Sequence, residues 1–312
     1  MIRYIWSVIY WYFRPLIKWF LRHTTQMCEL QRICYGEPFG APRTTAVERS
    51  LRSSRNANIK TLLMYLDDAS DQRGIDNRSE RKILEEAIGT VLTTKKINPI
   101  AHPDFAKSFG KCVELIWGYR QLCVECEELR RTPYNTDDPK HELLLLKLWN
   151  LLMPHEPLDA RVTKQWQDIG FQGDDPKTDF RGMGILGLEN LVYFAQEYHS
   201  AATHVLLHST HPRYGYAFAI VGINLTSMAL RLLRDGTAKV HIYNSCKTLP
   251  TIRAFHQFYC YLFYEFDGFW IESKPSNMME FSSIQEKFEN SIRMALANPT
   301  TVFRINVSVD NI

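Results

Sequence analysis

Residues 141–153, HELLLLKLWNLLM, carry the strongest evidence for the fold class. Leucine, tryptophan and methionine fill nine of these thirteen positions, so a helix built from them is apolar nearly all round. Such a helix is stable only when it is buried inside a fold. Asp138 and Pro139 directly precede the stretch and supply an N-cap and a proline for the first helical turn. The sequence therefore predicts a buried helix.

Helical periods recur on both sides of this buried helix. Upstream, one pattern starts near Ser79 and closes at Asn98-Pro99, and a second covers residues 105–131. Four more follow downstream, at residues 185–195, 217–234, 255–269 and 284–296. Residues 241–243 and 302–309 alternate weakly, as strands do, but neither segment has an evident pairing partner. The predicted fold class is all-α.

The net charge of +3 is concentrated at the N-terminus. Residues 1–22 contain four basic residues and no acidic ones, and subtracting those four charges leaves −1 for residues 23–312. A nearly neutral folded part lacks the basic field that a phosphate backbone needs, so no nucleic-acid partner is expected. The seven cysteines are sparsely spaced and do not resemble a secreted disulfide framework, which favours reduced thiols in a cytosol-facing protein.

The N-terminal segment, MIRYIWSVIYWYFRPLIKWFLR (residues 1–22), contains eight aromatic residues. Its longest uncharged run is ten residues, about half of the ~20 apolar residues that a spanning helix needs. Aromatic rings favour the headgroup region and basic residues attract anionic lipid, so we expect an amphipathic membrane-associating helix. The alternative is a buried N-terminal helix packed on the domain. A signal peptide fits poorly, because no small-residue cleavage site follows.

Two candidate metal or thiol sites are weak. Cys123 and Cys126 have ligand-like spacing, but they lie in a helical pattern with no second pair, which favours packed thiols. His204 and His208 are four residues apart, as in helical zinc sites, yet the sequence shows neither an intervening glutamate nor a third ligand. No metal site is predicted. Phosphate-binding, dinucleotide-binding and nucleophile-elbow motifs do not occur.

The segment Trp166–Phe194, WQDIGFQGDDPKTDFRGMGILGLENLVYF, holds five of the fifteen glycines within eighteen positions. Such a glycine cluster indicates tight turns or close approach by another molecule. Within it, Arg181 stands between Phe180 and Gly182, and Asp179 or Gln172 is placed to orient it. The pattern suits an arginine finger that enters a partner's nucleotide site. By itself it also describes a structural Arg–Asp pair that braces a turn, and on the residues alone this structural interpretation is favoured.

This segment resembles the activating motif of the ELMO domain-containing family. The matching positions are Trp166, Gly170, Phe171, Gln172, Pro176, Thr178, Asp179, Phe180, Arg181, Gly182, Gly184, Leu186, Gly187, Leu188, Leu191 and Phe194. Segments 28–34, 140–154, 215–226 and 255–270 are also similar to this family. The resemblance therefore covers most of the chain, and it favours the finger over the structural pair.

The resemblance implies a helical ELMO domain that activates GTP hydrolysis by Arf and Arf-like small GTPases in the GTP-bound state, including Arf-like protein 2. It implies Arg181 as the catalytic residue. Eight others would bind the GTPase or support the finger: Trp166, Gly170, Phe171, Gln172, Asp179, Phe180, Gly182 and Gly184. The chain would have no cofactor and no substrate site of its own, because the GTPase holds GTP and Mg²⁺. The alternative is a non-catalytic GTPase-binding scaffold of the engulfment-and-motility type.

The resemblance and the composition together divide the chain into five parts. They are a membrane-associating segment (1–35), a linker with one short helical piece near residues 62–66 (36–80), a helical N-terminal region (81–135), the ELMO domain (136–298) and a tail (299–312). The family resemblance further implies association, through residues 1–22, with intracellular membranes such as the endoplasmic reticulum, lipid droplets or mitochondria.

Overall fold

All regular secondary structure in the described part of the chain is helical. The computed structural model describes residue 13, residues 16–70 and residues 77–305, and no strand occurs in these ranges. The described residues form two compact units. The first runs through Arg120 and includes Lys247–Leu249, and the second comprises Gln121–Cys246 and the chain from Pro250 onward. The predicted all-α class is confirmed for the described part of the chain.

The first unit is built from short helices that pack on their neighbours in sequence. They are α1 (residues 16–25), α2 (Glu29–Gly36), α3 (Ala41–Arg52), α4 (Ala57–Ser70), α5 (Asn77–Lys95) and the first part of α6 (Pro103–Arg131). Helix α2 packs on α3, α3 on α4, and α4 on α5. Val47, Ile59 and Phe109 are fully buried in this unit.

The interpretation of residues 36–80 as a linker needs correction. Helices α3 and α4 occupy most of the stretch, where only a short helical piece was expected. Val47 and Leu51 lie four positions apart on α3, and Ile59, Leu62 and Leu66 follow at helical spacing on α4, all buried. The polar residues between them dominate the composition and mask this apolar face. Composition alone therefore misjudges short amphipathic helices.

The second unit surrounds a central apolar helix. Its α-helices are α7 (Pro139–Leu152), α8 (Gly184–Glu197), α9 (His199–Ser209), α10 (Phe218–Arg234), α11 (Lys239–Ser245), α12 (Ile252–Ser273) and α13 (Phe281–Leu296). Short 3₁₀ helices cover Lys164–Ile169, Pro176–Arg181 and Met278–Glu280. Helix α8 packs on α7, α9, α10 and α12, and α12 packs on α13. Leu186, Leu191 and Phe194 of α8 are fully buried, so α8 is the centre of this unit.

The predicted helix at residues 141–153 forms, as α7, but it is not buried all round: Leu143, Lys147 and Asn150 are exposed along one face, with Leu143 67% exposed. Helix α7 begins at Pro139, and the Asp138 carboxylate accepts a hydrogen bond from the backbone N of Lys140 at 2.9 Å. Leu145, Leu148 and Trp149 are fully buried. Proline in the first turn lacks only an N–H that has no helical acceptor, so it starts the helix without loss.

Residues 241–243 are the clearest error in secondary structure. The weak alternation there suggested a strand, whereas the residues lie in α11, with His241 and Tyr243 buried. A helix of seven residues spans about two turns, which is too short to show a helical period in the sequence. The tail through residue 305 has no regular structure, and the rest of the weakly alternating 302–309 segment lies outside the described residues.

Most of the predicted membrane-associating helix also lies outside the described residues. Within α1, the large apolar side chains of Leu16, Trp19 and Phe20 are 65%, 66% and 57% exposed. Among the residues that the structure describes, no helix is both long enough and apolar enough to cross a bilayer.

Candidate functional site: the loop that carries Arg181

The connection from α7 to α8 is a long loop stiffened by two 3₁₀ helices. The first, Lys164–Ile169, is capped by the Thr163 hydroxyl, which accepts from the backbone N of Gln165. The second, Pro176–Arg181, is capped by Asp175, whose Oδ1 accepts from the backbone N of Lys177 at 3.0 Å. Capping satisfies backbone donors that would otherwise face solvent unpaired, so each short helix has a defined start.

A continuous series of buried aromatic rings anchors the loop. Trp149 of α7 contacts Trp166 at 5.5 Å between ring centroids, Trp166 contacts Phe171 at 5.9 Å, and Phe171 contacts Phe180 at 5.6 Å. Tyr134 stacks on the other side of Phe180 at 5.4 Å. The three contacts from Trp149 to Phe180 are edge-to-face, a favoured geometry for aromatic pairs. Phe180 is only 1% exposed, so the residue before Arg181 is fixed in the core.

An ionic network holds the same loop from its polar side. Arg161 Nε donates to Glu142 Oε2 of α7 at 2.5 Å, and Arg161 Nη1 donates to Asp175 Oδ1 at 3.1 Å. The Tyr134 hydroxyl donates to Glu142 Oε1 at 2.6 Å. Burial works to lower the pKa of Arg161, but the hydrogen bond to Glu142 and the neighbouring negative charges outweigh it and raise that pKa. Arg161 thus stays charged and ties the cap of the second 3₁₀ helix to α7.

None of the predicted site residues belongs to this network. Its members, Tyr134, Glu142, Arg161 and Asp175, are distributed over 42 positions and follow no local motif. Only the fold brings them together, and a single sequence contains no signal for that.

Two glycines of the loop are required by backbone geometry. Gly170 has φ +83°, and a Cβ there would lie 2.2 Å from the backbone N of Phe218 at the start of α10. Gly184 has φ +55°, and its Cβ would lie 2.3 Å from the carbonyl O of Arg130 and 2.4 Å from that of Thr132. Side-chain-bearing residues are strained at positive φ and cannot approach backbone this closely. These glycines pin the loop to α10 and to the end of α6.

Gly182 differs from those two. Its φ is −81°, in the right-handed helical region, and no atom lies within 4 Å of a Cβ built there. The fold therefore does not require glycine at position 182. Both glycines are among the residues expected to bind the GTPase or to support the finger. Gly184 holds the loop against the end of α6, whereas Gly182 has no such contact.

Arg181 is the last residue of the second 3₁₀ helix, and its side chain is exposed. Within the described part of the chain, this side chain makes no hydrogen bond and no ion pair. The nearby Asp179 carboxylate instead accepts from the backbone N of Gln172 at 2.9 Å. Burial raises the pKa of Asp179, against the hydrogen bonds from Gln172 and Thr178 and the charge of Arg181. The Arg–Asp brace considered from the sequence does not form.

All nine predicted site residues lie in this one loop or at its junction with α8. Four of them are buried and three are exposed. The buried ones are Trp166, Phe171, Phe180 and Gly184, and the exposed ones are Gln172, Arg181 and Gly182. Gly170 and Asp179 are half-buried, and Gly170 and Gly184 hold the loop against α10 and the end of α6. The functional roles assigned to these residues remain predictions.

The thiols of Cys123 and Cys126, in the second unit, are packed and protonated. Burial raises the pKa of Cys123 to about 11, and it also raises that of the fully buried Cys126. All seven cysteines are described, and all are free thiols. A neutral buried thiol is a poor nucleophile and a poor metal ligand, in line with the interpretation of Cys123 and Cys126 as packing residues.

A sequence model of the ELMO/CED-12 family matches residues 124–285, a region that contains the whole loop. The chain belongs to the ELMO/CED-12 family. Within this family it is 47% identical to ELMO domain-containing protein 2 of Bos taurus over 290 residues, covering 93% of this chain and 94% of the relative. Identity to ELMO domain-containing protein 2 of Homo sapiens is 45% over 304 residues, covering 97% and 99%. Identity to ELMO domain-containing protein 1 of Mus musculus is 45% over 300 residues, covering 91% and 88%.

Membership of the ELMO/CED-12 family accords with the helical second unit. The matched region starts in the last turns of α6, before residue 136, where the predicted ELMO domain begins. It ends in α13, before residue 298, where that predicted domain ends. At the end of α6, Gly184 packs against the backbone carbonyl groups of Leu129, Arg130 and Thr132. A domain begun at residue 136 would omit that contact.

Proposed function

We propose that this chain is a GTPase-activating protein for Arf and Arf-like small GTPases, including Arf-like protein 2, and that Arg181 is its arginine finger. Membership of the ELMO/CED-12 family and the activating motif support this assignment. The structural observation that carries it is the state of Arg181, which is an exposed guanidinium without a partner among the described residues. It stands directly after a side chain that is fixed in the core.

The chemistry of this proposal takes place in the partner's nucleotide site. The GTPase, in its GTP-bound state, holds GTP and Mg²⁺, and Arg181 enters the region of the γ-phosphate. Its planar guanidinium offsets the negative charge that develops on the transferring phosphoryl group. Arginine fingers accelerate hydrolysis by ~10³–10⁵, which corresponds to about 4–7 kcal/mol of barrier. This chain needs no cofactor of its own for that role.

The free guanidinium favours insertion for an energetic reason. If Arg181 were paired with Asp179, that pair would have to break before the guanidinium could reach a phosphate. Because Asp179 already accepts from the backbone of Gln172, the guanidinium is not committed. Phe180 on one side and Gly184 on the other fix the backbone, so little backbone freedom is lost when the side chain docks.

Gly182 supplies a second structural argument for close approach by a partner. Neither its backbone conformation nor any neighbouring atom requires glycine. Absence of a side chain directly after Arg181 leaves open surface at the point where the GTPase would meet the finger. We expect Gly182 to contribute to docking, together with the exposed Gln172.

The deciding experiment is single-turnover GTP hydrolysis by a panel of Arf and Arf-like GTPases, with binding measured separately. Wild-type protein should accelerate hydrolysis, and Arg181→Ala should lose ~10³-fold or more of that acceleration while still binding the GTPase. Arg181→Lys should fail nearly as badly, because lysine keeps the charge but lacks the planar fork. Arg213→Ala, which removes an exposed arginine from the α9–α10 connection, is the matched control and should keep full activity.

Two results would contradict the proposal in different ways. Equal hydrolysis with and without the protein, across the panel and in the presence of membranes, would indicate a non-catalytic GTPase-binding scaffold of the engulfment-and-motility type. Loss of both binding and acceleration in Arg181→Ala would make Arg181 a docking residue.

Membrane association through residues 1–22 belongs to the same proposal. We infer a cytosol-facing location on intracellular membranes, such as the endoplasmic reticulum, lipid droplets or mitochondria. Its structural support is α1, where Leu16, Trp19 and Phe20 expose apolar surface on a helix. Exposed aromatic residues next to basic ones favour the interface of an anionic bilayer.

A further inference from the structure

Helices α9 and α12 bring together three side chains that the proposed function does not use. His204 and His208 lie one turn apart on α9, with ring centroids 4.1 Å from each other. Asp267 of α12 is 59 positions further along the chain, and its Oδ2 lies 2.7 Å from Nδ1 of His208. One donor atom from each of the three residues lies within 4.8 Å of the others. The fold thus supplies the third group that the histidine pair lacks in the sequence.

Asp267 is held in place as a metal-binding carboxylate would be. Its side chain is 3% exposed, and its second oxygen, Oδ1, accepts from the Tyr216 hydroxyl at 2.6 Å. Burial raises the pKa of Asp267, while the hydrogen bonds from Tyr216 and His208 act in the opposite direction. Burial of a carboxylate is costly unless a cation or hydrogen-bond donors compensate its charge. Tyr216 fixes the carboxylate and leaves Oδ2 directed at the histidines.

The cluster is also accessible from solvent. His204 is exposed and His208 half-exposed, so an ion can reach their ring nitrogens. His204 and Asp267 line a cavity of about 370 Å³, together with Glu265 and Glu272 of α12. These two further carboxylates add negative charge to the lining of the cavity. The cavity has room for water molecules next to His204 and Asp267.

We propose that His204, His208 and Asp267 bind one divalent transition-metal ion of the zinc class. Two imidazoles and a carboxylate are a ligand set that favours zinc or cobalt over magnesium or calcium. Histidines at positions i and i+4 of a helix are the usual way in which a helix presents two zinc ligands. Three protein ligands leave a fourth position for water from the cavity, as in open zinc sites. The hydrogen bond from Tyr216 orients the carboxylate from outside the ligand set.

A bound ion would join α9 to α12 within the second unit. None of its ligands belongs to the Arg181 loop, so the site is independent of the proposed GTPase activation. Because the ligands bind the metal without protons, the proton between His208 and Asp267 leaves when the ion enters. The ion then replaces that hydrogen bond as the link between the two helices.

The test is titration of the full-length protein with Zn²⁺ by calorimetry and with Co²⁺ by visible absorption. Wild-type protein should bind one equivalent, and the Co²⁺ spectrum should lack the charge-transfer band that thiolate ligands produce. Appearance of that band would instead indicate that Co²⁺ is bound by one or more of the seven free thiols. His204→Gln, His208→Gln and Asp267→Asn should each weaken binding by roughly 100-fold or more, since altered outer-shell partners alone cost 10–100-fold. His155→Gln, which changes an exposed histidine outside the cluster, should bind as the wild type does.

The outcome does not depend on whether every variant folds. His204 is exposed, so His204→Gln should unfold at the wild-type temperature without metal and decides the question if Asp267→Asn is unstable. Absence of a one-equivalent binding event in the wild type would overturn the proposal. Unchanged affinity and stoichiometry in a His204→Gln, His208→Gln double variant would overturn it as well.

Discussion

Replacement of Gly184 by alanine probes how the Arg181 loop is held against the end of α6. At φ +55° an alanine backbone costs ~1–2 kcal/mol, because its Cβ crowds the following carbonyl oxygen. The same Cβ would lie 2.3 Å from the carbonyl O of Arg130 and 2.4 Å from that of Thr132. Relief of such overlap requires backbone movement, at about 1–3 kcal/mol. We expect Gly184→Ala to lower the free energy of unfolding by roughly 2–5 kcal/mol.

Gly182→Ala is the matched control, because it makes the same substitution two residues away. At φ −81° alanine is unstrained, and the position opens to free space. Its free energy of unfolding should stay within about 0.5 kcal/mol of wild type, or rise slightly as the unfolded chain loses backbone freedom. The pair therefore separates the effect of glycine geometry from the effect of an added methyl group.

Urea unfolding followed by circular dichroism and tryptophan fluorescence measures both variants. With a slope of about 2 kcal/mol per molar urea, a loss of roughly 2–5 kcal/mol lowers the midpoint of Gly184→Ala by roughly 1–2.5 M. Activation of GTP hydrolysis should then be assayed below the transition of the less stable variant. Gly182→Ala should reduce activation there despite normal stability, because its methyl group faces the approaching GTPase.

Either of two results would refute this reasoning. Equal midpoints for Gly184→Ala and wild type would mean that Gly184 does not adopt the left-handed backbone against α6. A loss of stability in Gly182→Ala as large as that in Gly184→Ala would mean that position 182 is packed rather than open.

Three further predictions follow from other parts of the molecule. Arg161→Met should lower the free energy of unfolding by roughly 1–3 kcal/mol, because it leaves the partly buried Glu142 without its cation. Activation of GTP hydrolysis should fall as well, and denaturation and hydrolysis assays on one sample measure the two effects. Burial lowers the pKa of His241 and of His256 to about 4, so the unfolded chain takes up protons first as the pH falls from 6.5. The free energy of unfolding should therefore decline from pH 6.5 towards pH 4, by about 2 kcal/mol per histidine at pH 5. Urea titrations at several pH values measure this decline. Trp19→Ser should weaken co-sedimentation of the full chain with anionic vesicles by roughly tenfold or more, and unchanged binding would place the membrane contact elsewhere.

Long apolar patterns in this sequence predict helices well, and short ones do not. Helices α6 and α10 start within two residues of their predicted positions and end where predicted, and Gly236, with φ +84°, lies two residues beyond the end of α10. By contrast, α11 is too short to show a period, and α3 carries few apolar residues among many polar ones. Tertiary burial, which composition does not report, decides whether such sparse apolar residues form a helix face.

The candidate site shows the same division between local and long-range information. The glycine cluster and the position of Arg181 are local features, so the sequence alone locates the loop. The roles of Gly182 and Gly184 depend on whether another segment lies against each of them, and the sequence cannot show that the end of α6 meets only Gly184. For the same reason the sequence does not show that Asp267 lies next to the histidine pair, because only the fold brings His208 and Asp267, 59 residues apart, together.

In the Arg181 loop, the residues that stabilise the fold are different from the exposed Arg181. The stability of the loop comes from side chains that contact one another, such as Phe180 in the aromatic series and Arg161 in the ionic network. Arg181 takes part in neither, so the fold gains little from its presence, and most substitutions at exposed sites change stability by less than about 0.5 kcal/mol. An arginine that the fold does not use, placed on a backbone that the fold fixes at both sides, is hard to explain by stability. It is well explained by a task performed on another molecule.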